Sequence, residues 1–411
     1  MNRVAVVVQR HHESIVGGSE ALAWQYASLL KDVYEVELLT TTAIDISEWA
    51  NVLPEGSELK DGVRLRRFTV SIGRTPYWGK LHDRLVLDYR PLDAQGRRQF
   101  GKLKTSRYQR WSPAFQEEFI RTQGPYSASL MEFLKHRWAD YWAIIFVTYL
   151  YPTTYFGLLQ VPTGSALLVP TLHNEAPAYF SVYKHAAHRA HSIIWLTEAE
   201  QRLGEDLWGP LAGRVVSMSV DTQLRSPAKA STPYLLYCGR IDPNKGCRQM
   251  FDYFIRYKKE FPSELRLVLA GKDDIPVPSH PEIEFRGFVS DEEKFQLMAG
   301  ARLFIMPSPN ESFSIVTMEA MAQRAPVLAN GFSDVLADHI RLSGGGRIYS
   351  DYRSFAQALG GMLSSDEELA AMGERAREYA ISRYTEEDVR DSLLKAVEDC
   401  GRNRFISSLN Q

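Results

Sequence analysis

The chain has 411 residues, 45% of them hydrophobic and 24% charged, with a formal net charge of −2. That length exceeds one average domain and suits two, each able to bury a core without staples. The near balance of charge excludes a global field that would recruit nucleic acid or a membrane, and the three cysteines, Cys238, Cys247 and Cys400, have the spacing of neither a disulfide framework nor a zinc site, which fits a reducing, cytoplasmic compartment.

The opening MNRVAVVVQR carries an apolar run over residues 4–8 that breaks at Gln9 and Arg10, so it reads as a first strand and not as a signal peptide. The chain contains no run of about 18 apolar residues that could span a bilayer. Helical spacing follows from Ser19 to Leu30, through Leu22, Tyr26 and Leu29, and residues 36–40 form the next strand. Further uniformly apolar strands are expected at 143–147, 166–169 and 192–196, with Thr197 and Glu200 as a capping box for the helix after the last. Apolar strands separated by helices imply a parallel sheet covered on both faces.

Between them, residues 74–110 hold ten basic side chains (Arg74, Lys80, Arg84, Arg90, Arg97, Arg98, Lys102, Lys104, Arg107 and Arg110) against Asp83, Asp88 and Asp93, with Tyr77, Trp78, Tyr89, Phe100 and Tyr108 among them. Such an insertion is either a surface excursion facing water or a contact for anionic lipid head groups at the inner face of a membrane or for a phosphate-bearing acceptor.

A second series of strands, at 235–238, 265–270, 283–285, 303–306 and 326–329, alternates with helices, and a stretch rich in Ser, Pro and Ala over 220–233 connects the two series. Two Rossmann-like units in tandem, 1–222 (with the insertion extending over 74–138) and 223–385, followed by a polar-amphipathic helix in 386–411 that packs back on the first domain, make an α/β protein.

The loop GRIDPNKG follows the strand at 235–238. Gly239 permits a tight turn, and Arg240 and Lys245 stand at the start of the next helix, where two cations and a helix dipole could hold a diphosphate or could simply face water. In MPSPNESFSIVTMEAMA, Glu311 and Ser312 are expected to open a helix running through Met321. That puts Glu311 at the sheet's carboxyl edge, Glu319 two turns further along, and the N–H groups of Phe313 and Ser314 among the orphan donors of the first turn.

These residues resemble the E-x7-E signature of glycosyltransferase family 4, a retaining family of GT-B fold, and GRIDPNKG is similar to its GR-x(n)-KG loop. RGFVSDEE is similar to its base-contacting segment, GGSE after the first strand to its GG-x-E turn, and PTLHNEAP to its strand-ending histidine. The resemblance implies two Rossmann-like domains with parallel sheets facing across a cleft. It implies that Arg240 and Lys245 hold the diphosphate of a nucleotide sugar and that Glu311 meets the transferred sugar. Ser312, Phe313 and Ser314 would line the sugar and phosphate, Glu319 would take the ribose, Phe288 and Val289 would border the base, and Gly17 and Gly18 would approach the diphosphate. His173 would lie near the donor sugar, although a hydrogen-bonded histidine at a strand end reads equally from the residues alone.

The implied reaction is retaining transfer of a hexose-type sugar from a UDP- or GDP-sugar to a saccharide or lipid-linked acceptor, in bacterial surface polysaccharide or glycolipid synthesis. It needs no cofactor, and since no Asp-x-Asp pair occurs, no metal. Nucleic acid is not an expected partner. Thr148, Tyr149 and Tyr151, in VTYLYPTTYFG, are candidate acceptor contacts. A nucleotide-sugar epimerase of the same architecture is the alternative; a dehydrogenase is disfavoured because no G-x-G-x-x-G follows a predicted strand. Three segments depart from the family pattern: Ser314 replaces a glycine, SMSVDT replaces an asparagine–glycine turn, and NGFSDVLADH is atypical.

Overall fold

The structure, a computed structural model, describes residues 2–15, 17–89 and 111–409. The first compact unit comprises Met1–Met218 with Val389–Gln411, and the second Ser219–Asp388.

In the first unit the elements run β1 (Arg3–Val7), α1 (Gly18–Leu30), β2 (Glu35–Thr41), β3 (Gly56–Lys60), β4 (Val63–Phe68), α2 (Pro76–Tyr89), α3 (Pro113–Gln123), α4 (Ala128–Arg137), β5 (Ala143–Val147), α5 (Pro152–Gln160), β6 (Ala166–Val169), α6 (Ser181–Ala187), β7 (Ser192–Trp195), α7 (Glu198–Trp208) and β8 (Gly213–Val215). The strands form one sheet in the order β3-β4-β2-β1-β5-β6-β7-β8, parallel except for the β3–β4 hairpin. The expected strands all form; β3, β4 and β8 are additional. The hairpin turns at Asp61 and Gly62, both with positive φ (49° and 85°), the turn that an Asp-Gly pair favours.

The second unit runs β9 (Tyr234–Cys238), α8 (Cys247–Glu260), β10 (Arg266–Ala270), β11 (Ile283–Phe285), α9 (Asp291–Gly300), β12 (Leu303–Met306), α10 (Ile315–Ala322), β13 (Val327–Asn330), α11 (Asp334–Ser343), β14 (Gly346–Tyr349), α12 (Tyr352–Leu363) and α13 (Asp366–Ile381). Its all-parallel sheet has the order β11-β10-β9-β12-β13-β14. Strands such as LVLA in β10 and LFIM in β12 are buried along their length, because helices cover both faces of a parallel sheet. On α8, Met250, Phe251, Phe254 and Tyr257 supply the stripe that meets the sheet.

The last helix, α14 (Glu386–Leu409), belongs to the first unit from Val389 onward. There Tyr34 Oη donates to Glu398 (3.2 Å), and Arg404 lies over the ring of Trp138 (4.8 Å). Gly401 admits Trp142, since a Cβ at 401 would stand 2.0 Å from that indole.

Of the insertion, residues 90–110 lie outside the described residues, and with them Arg90, Arg97, Arg98, Lys102, Lys104, Arg107, Arg110, Phe100 and Tyr108. The described flanks are not a solvated excursion: Leu81 and Leu85 of α2, Phe119 and Ile120 of α3, and Leu130 and Leu134 of α4 join the core of the first unit. Arg74 stacks over Trp78 at 4.3 Å, while Tyr77 is exposed. Among the described residues no helix is long and apolar enough to cross a membrane.

Candidate active site

Both sheets contain a point where strand order reverses, between β1 and β5 in the first unit and between β9 and β12 in the second. Loops leaving the carboxyl ends of two such strands diverge and leave a crevice in which ligands of open α/β sheets bind. In the second unit those loops are GRIDPNKG after β9 and PSPNESFS after β12.

The first loop is built around Asp242, which is 5% exposed. Its Oδ1 accepts the N–H groups of Asn244 (2.7 Å) and Lys245 (3.0 Å), and its Oδ2 stands 3.7 Å from the Arg240 guanidinium. Tyr237 Oη donates to the carbonyl of Arg240 at 2.6 Å. Gly246 then caps α8 in the left-handed region (φ 75°), and a Cβ there would stand 2.3 Å from the carbonyl oxygen of Pro307. This close approach draws the first loop onto the second. Asn330, at the end of β13, donates to the same Pro307 carbonyl (2.8 Å). As a result Lys245 Nζ lies 2.7 Å from Glu311 Oε1, with the carboxylate side chain 10% exposed and the ammonium side chain 30% exposed.

Glu311 and Ser312 do not open the helix. Ser314 adopts φ 65°, ψ 65°, and α10 starts only at Ile315. A left-handed residue cannot continue a right-handed helix, so the expected helix start at Glu311 is corrected by four residues. The conformation also explains the family's glycine at this position, since a Cβ is disfavoured there. The serine hydroxyl turns inward to Thr317 Oγ1 (2.8 Å) and is 94% buried with its residue.

Glu319 is not a surface residue. It is 9% exposed, and its Oε1 takes the ammonium of Lys294 from α9 at 3.1 Å. Its Oε2 is buried without a hydrogen-bond partner. Burial raises its carboxyl above the usual range, while Lys294 pulls it back down; burial also works against the Lys294 ammonium, yet Glu319 and Asp291 hold that group above its ordinary value. A buried carboxylate oxygen with no donor fits a hydroxyl-bearing ligand. Phe288 and Val289 lie in the loop after β11, with Phe288 73% exposed. Lys294 and Asp242 carry no signal in the sequence, since a lysine on a polar helix and an aspartate in a turn have no distinctive spacing.

In the first unit, Gly17 is the residue before α1, and a Cβ on it would stand 2.2 Å from Glu20 Oε2. Glu20 folds back there onto Arg10 Nε (2.5 Å) and the Ser19 hydroxyl (2.8 Å). Around Gly18 a Cβ would meet nothing. After β5 and β6, Thr148 (φ 68°) and Thr171 (φ 50°) are both left-handed, and Thr171 Oγ1 donates to Thr148 Oγ1 at 3.2 Å. Such conformations are genuine outliers for a β-branched residue and concentrate at functional sites.

His173 follows, its Nδ1 3.9 Å from Glu175 Oε1. Glu200, 1% exposed, holds this stretch in place by accepting the N–H groups of Leu172 (2.6 Å) and Leu196 (2.5 Å). The Thr197 half of the expected capping box forms, its hydroxyl accepting Glu200 N–H at 3.0 Å. Burial pushes the Glu200 carboxyl up to about 8, against those two N–H donors.

The acceptor assignment needs one correction. Tyr149 is 2% exposed, edge-on to Tyr183 and Trp208, with its hydroxyl on Glu175 Oε1 (2.9 Å). Its ring fills the core and has no open face for a sugar. Tyr151 is half-buried at the start of α5, edge-on to Trp49.

Residues 232–365 match the family described as glycosyl transferases group 1. Among curated proteins, the chain is 34% identical over 105 residues to the D-inositol 3-phosphate glycosyltransferase of Corynebacterium urealyticum, covering 25% of this chain and 24% of that protein. It is 29% identical over 202 residues to the phosphatidyl-myo-inositol mannosyltransferase of Mycobacterium leprae, covering 44% of this chain and 51% of that protein. These matches span between about a quarter and about half of the relatives' own length.

Among solved structures, a sucrose-phosphate synthase from Thermosynechococcus elongatus superposes with a TM-score of 0.68 at 17% identity, over 99% of this chain and 100% of that one. The HepE protein of Anabaena, solved with UDP and glucose, gives a TM-score of 0.67 at 14% identity, over 97% and 100%. The fold is therefore the two-domain α/β fold of GT-B type. Residues 232–365, the part that matches glycosyl transferases group 1, contain Arg240, Lys245, Glu311 and Glu319.

Proposed function

We propose that the protein is a retaining glycosyltransferase that moves a hexose-type sugar from a nucleoside-diphosphate sugar to a hydroxyl-bearing acceptor. The observation that carries this reading is the meeting of Lys245 Nζ and Glu311 Oε1 at 2.7 Å where the strand order of the second unit reverses. Anionic ligands favour this position for a physical reason. Lys245 and Arg240 are fixed cations, and the backbone N–H groups at the start of α10 add a partial positive charge. Glu311 holds the ammonium in place until a diphosphate shares it, and its other oxygen can meet sugar hydroxyls. The unpartnered Oε2 of Glu319 accepts a ribose hydroxyl, and exposed Phe288 offers a face to the base.

In the step itself, the bond from the anomeric carbon to the leaving phosphate oxygen breaks while the acceptor oxygen bonds to that carbon on the same face. The acceptor proton passes to the leaving phosphate. No enzyme nucleophile is required, and the acceleration comes from positioning and from stabilising the charge on the departing diphosphate. No step needs a cofactor or a metal, and activity is expected to survive EDTA. The inositol phosphate and phosphatidyl-inositol named for the curated relatives favour a polyol, saccharide or lipid-linked acceptor, and the basic insertion gives such an enzyme a means of meeting an anionic membrane.

The test is product analysis by NMR with a panel of UDP- and GDP-sugars, with and without a saccharide or lipid-linked acceptor. The reading expects a new α-linked or β-linked product whose anomeric configuration matches the donor. Inversion would refute retention, and a changed donor sugar formed without acceptor would show an epimerase.

A further inference from the structure

The segment NGFSDVLADH departs from the family pattern, and its last residue stands in an arrangement that the proposed chemistry does not otherwise use. His339 of α11 is 2% exposed and has a partner on each ring nitrogen. Nε2 lies 3.0 Å from the carbonyl oxygen of Phe313, and Nδ1 lies 3.0 Å from Tyr379 Oη. Tyr379 Oη in turn lies 3.0 Å from Tyr384 Oη. Phe313, Tyr379 and Tyr384 are 2%, 7% and 7% exposed, and the rings of Phe313 and Tyr384 pack edge-on at 5.1 Å.

The chemistry of the atoms fixes the direction of this chain. A carbonyl oxygen can only accept, so Nε2 carries the proton. In the neutral imidazole Nδ1 is then an acceptor, and it takes the hydroxyl proton of Tyr379. The Tyr379 oxygen is left to accept from Tyr384. The two tyrosines thereby hold the imidazole in the tautomer that donates to Phe313.

The carbonyl of Phe313 shares a planar trans peptide with the N–H of Ser314, and the two point in opposite directions. A bond that fixes one aims the other. We propose that His339 is a positioning residue for the donor site: by holding the Phe313 carbonyl, it turns the Ser314 N–H outward to the donor phosphate or sugar. It also secures the left-handed backbone at Ser314 (φ 65°) that a side chain disfavours. A glycine would adopt that conformation unaided, so a serine at 314 and a histidine at 339 form a compensating pair. The inference rests on the reading of this site as the donor site.

The experiment measures the affinity of the full-length protein for UDP and for GDP by calorimetry, in the wild type and in His339→Leu, His339→Asn and His339→Gln. Each variant is first checked for folding by circular dichroism. The amide nitrogen of glutamine can reach where Nε2 stands, whereas that of asparagine stands nearer Nδ1 and falls short of the Phe313 carbonyl. The expected result is about tenfold weaker binding in the leucine and asparagine variants, the loss that goes with one aimed hydrogen bond to a charged ligand, and near wild-type binding in the glutamine variant.

If the folded leucine or asparagine variant binds as tightly as the wild type, or if glutamine is as weak as asparagine, His339 is only a packing residue. Should leucine fail to fold, the asparagine and glutamine pair decides. A wild type that binds neither nucleotide overturns the donor-site reading itself, whereas a wild type that binds with indifferent variants overturns only the role of His339.

Discussion

The two halves of the molecule place loops at the same topological position, yet hold them by different means. In the second unit, oppositely charged pairs organise the strand-order reversal: Lys245 with Glu311, Lys294 with Glu319, and Arg240 beside Asp242. In the first unit one ion pair, Arg10 with Glu20, stands in the loop after β1, but the loops after β5, β6 and β7 depend on two left-handed threonines, on Glu200 gathering two backbone N–H groups, and on aromatic packing. Fixed charge with unfilled acceptor capacity suits a ligand whose chemistry is always the same, a nucleoside diphosphate. Backbone strain and aromatic walls can be reshaped without rebuilding an ionic network, which suits an acceptor that differs among relatives. The family match covers residues 232–365, which lie within the second unit.

The largest effect should come from the charge side. Lys245→Ala removes one preorganised stabiliser and is expected to lower turnover by about two orders of magnitude or more, measured at saturating donor. Unchanged turnover would break the assignment of the second unit as the charge-stabilising half.

Glu319→Gln should raise the donor KM by about tenfold with little change in kcat, the pattern of a lost uniform binding interaction. Because that change also takes from the half-buried Lys294 one of its two carboxylate partners and leaves it Asp291, the double variant with Lys294→Met provides the control. It should recover stability without recovering KM, and recovery of both would mean that the pair serves folding alone.

On the other side of the comparison, Glu200 ties stability to pH. Its folded-state value of about 8 lies above the ordinary 4.5. Between those values the folded chain binds more protons than the unfolded one, so this group's contribution falls as pH rises from about 5 to 8, with a slope of at most about 1.4 kcal/mol per pH unit. Urea titrations at several pH values should show the decline in the wild type and a flatter profile in Glu200→Gln; identical slopes would sink the claim.

The smallest effect belongs to the strain. Thr171→Asn places a residue tolerant of left-handed backbone where a β-branched one now stands, and should stabilise the protein by up to about 1 kcal/mol while lowering turnover. Destabilisation by a comparable amount would show that position 171 is relaxed.

Much of this contrast was legible in the sequence, and the exceptions have physical causes. Apolar runs such as LVLA and LFIM announce buried parallel strands because both faces are covered, and all the expected strands form. The spacing of GRIDPNKG and NESFSIVTME was enough to bring Arg240, Lys245, Glu311 and Glu319 into one half of the chain. The start of α10 is not legible because a serine at 314 gives no sign of left-handed backbone, and the His339 ring that meets the neighbouring Phe313 carbonyl comes from the distant helix α11. The hairpin of β3 and β4 has a sequence signal in Asp61-Gly62, but its strands mix charged and apolar residues and lack the uniformly apolar run that marks the others. A tyrosine after a strand, such as Tyr149, reads alike in the sequence whether its ring faces a ligand or Trp208. Nothing in its local sequence separates the two.

The central claim is that the second unit grips a diphosphate at the reversal of its strand order. A crystal structure of the complex with UDP or GDP tests it most directly. The account predicts the diphosphate within about 3 Å of Lys245 Nζ and the Ser314 N–H, with a ribose hydroxyl on Glu319 Oε2. A nucleotide seated elsewhere, with the Lys245–Glu311 pair untouched, would contradict it.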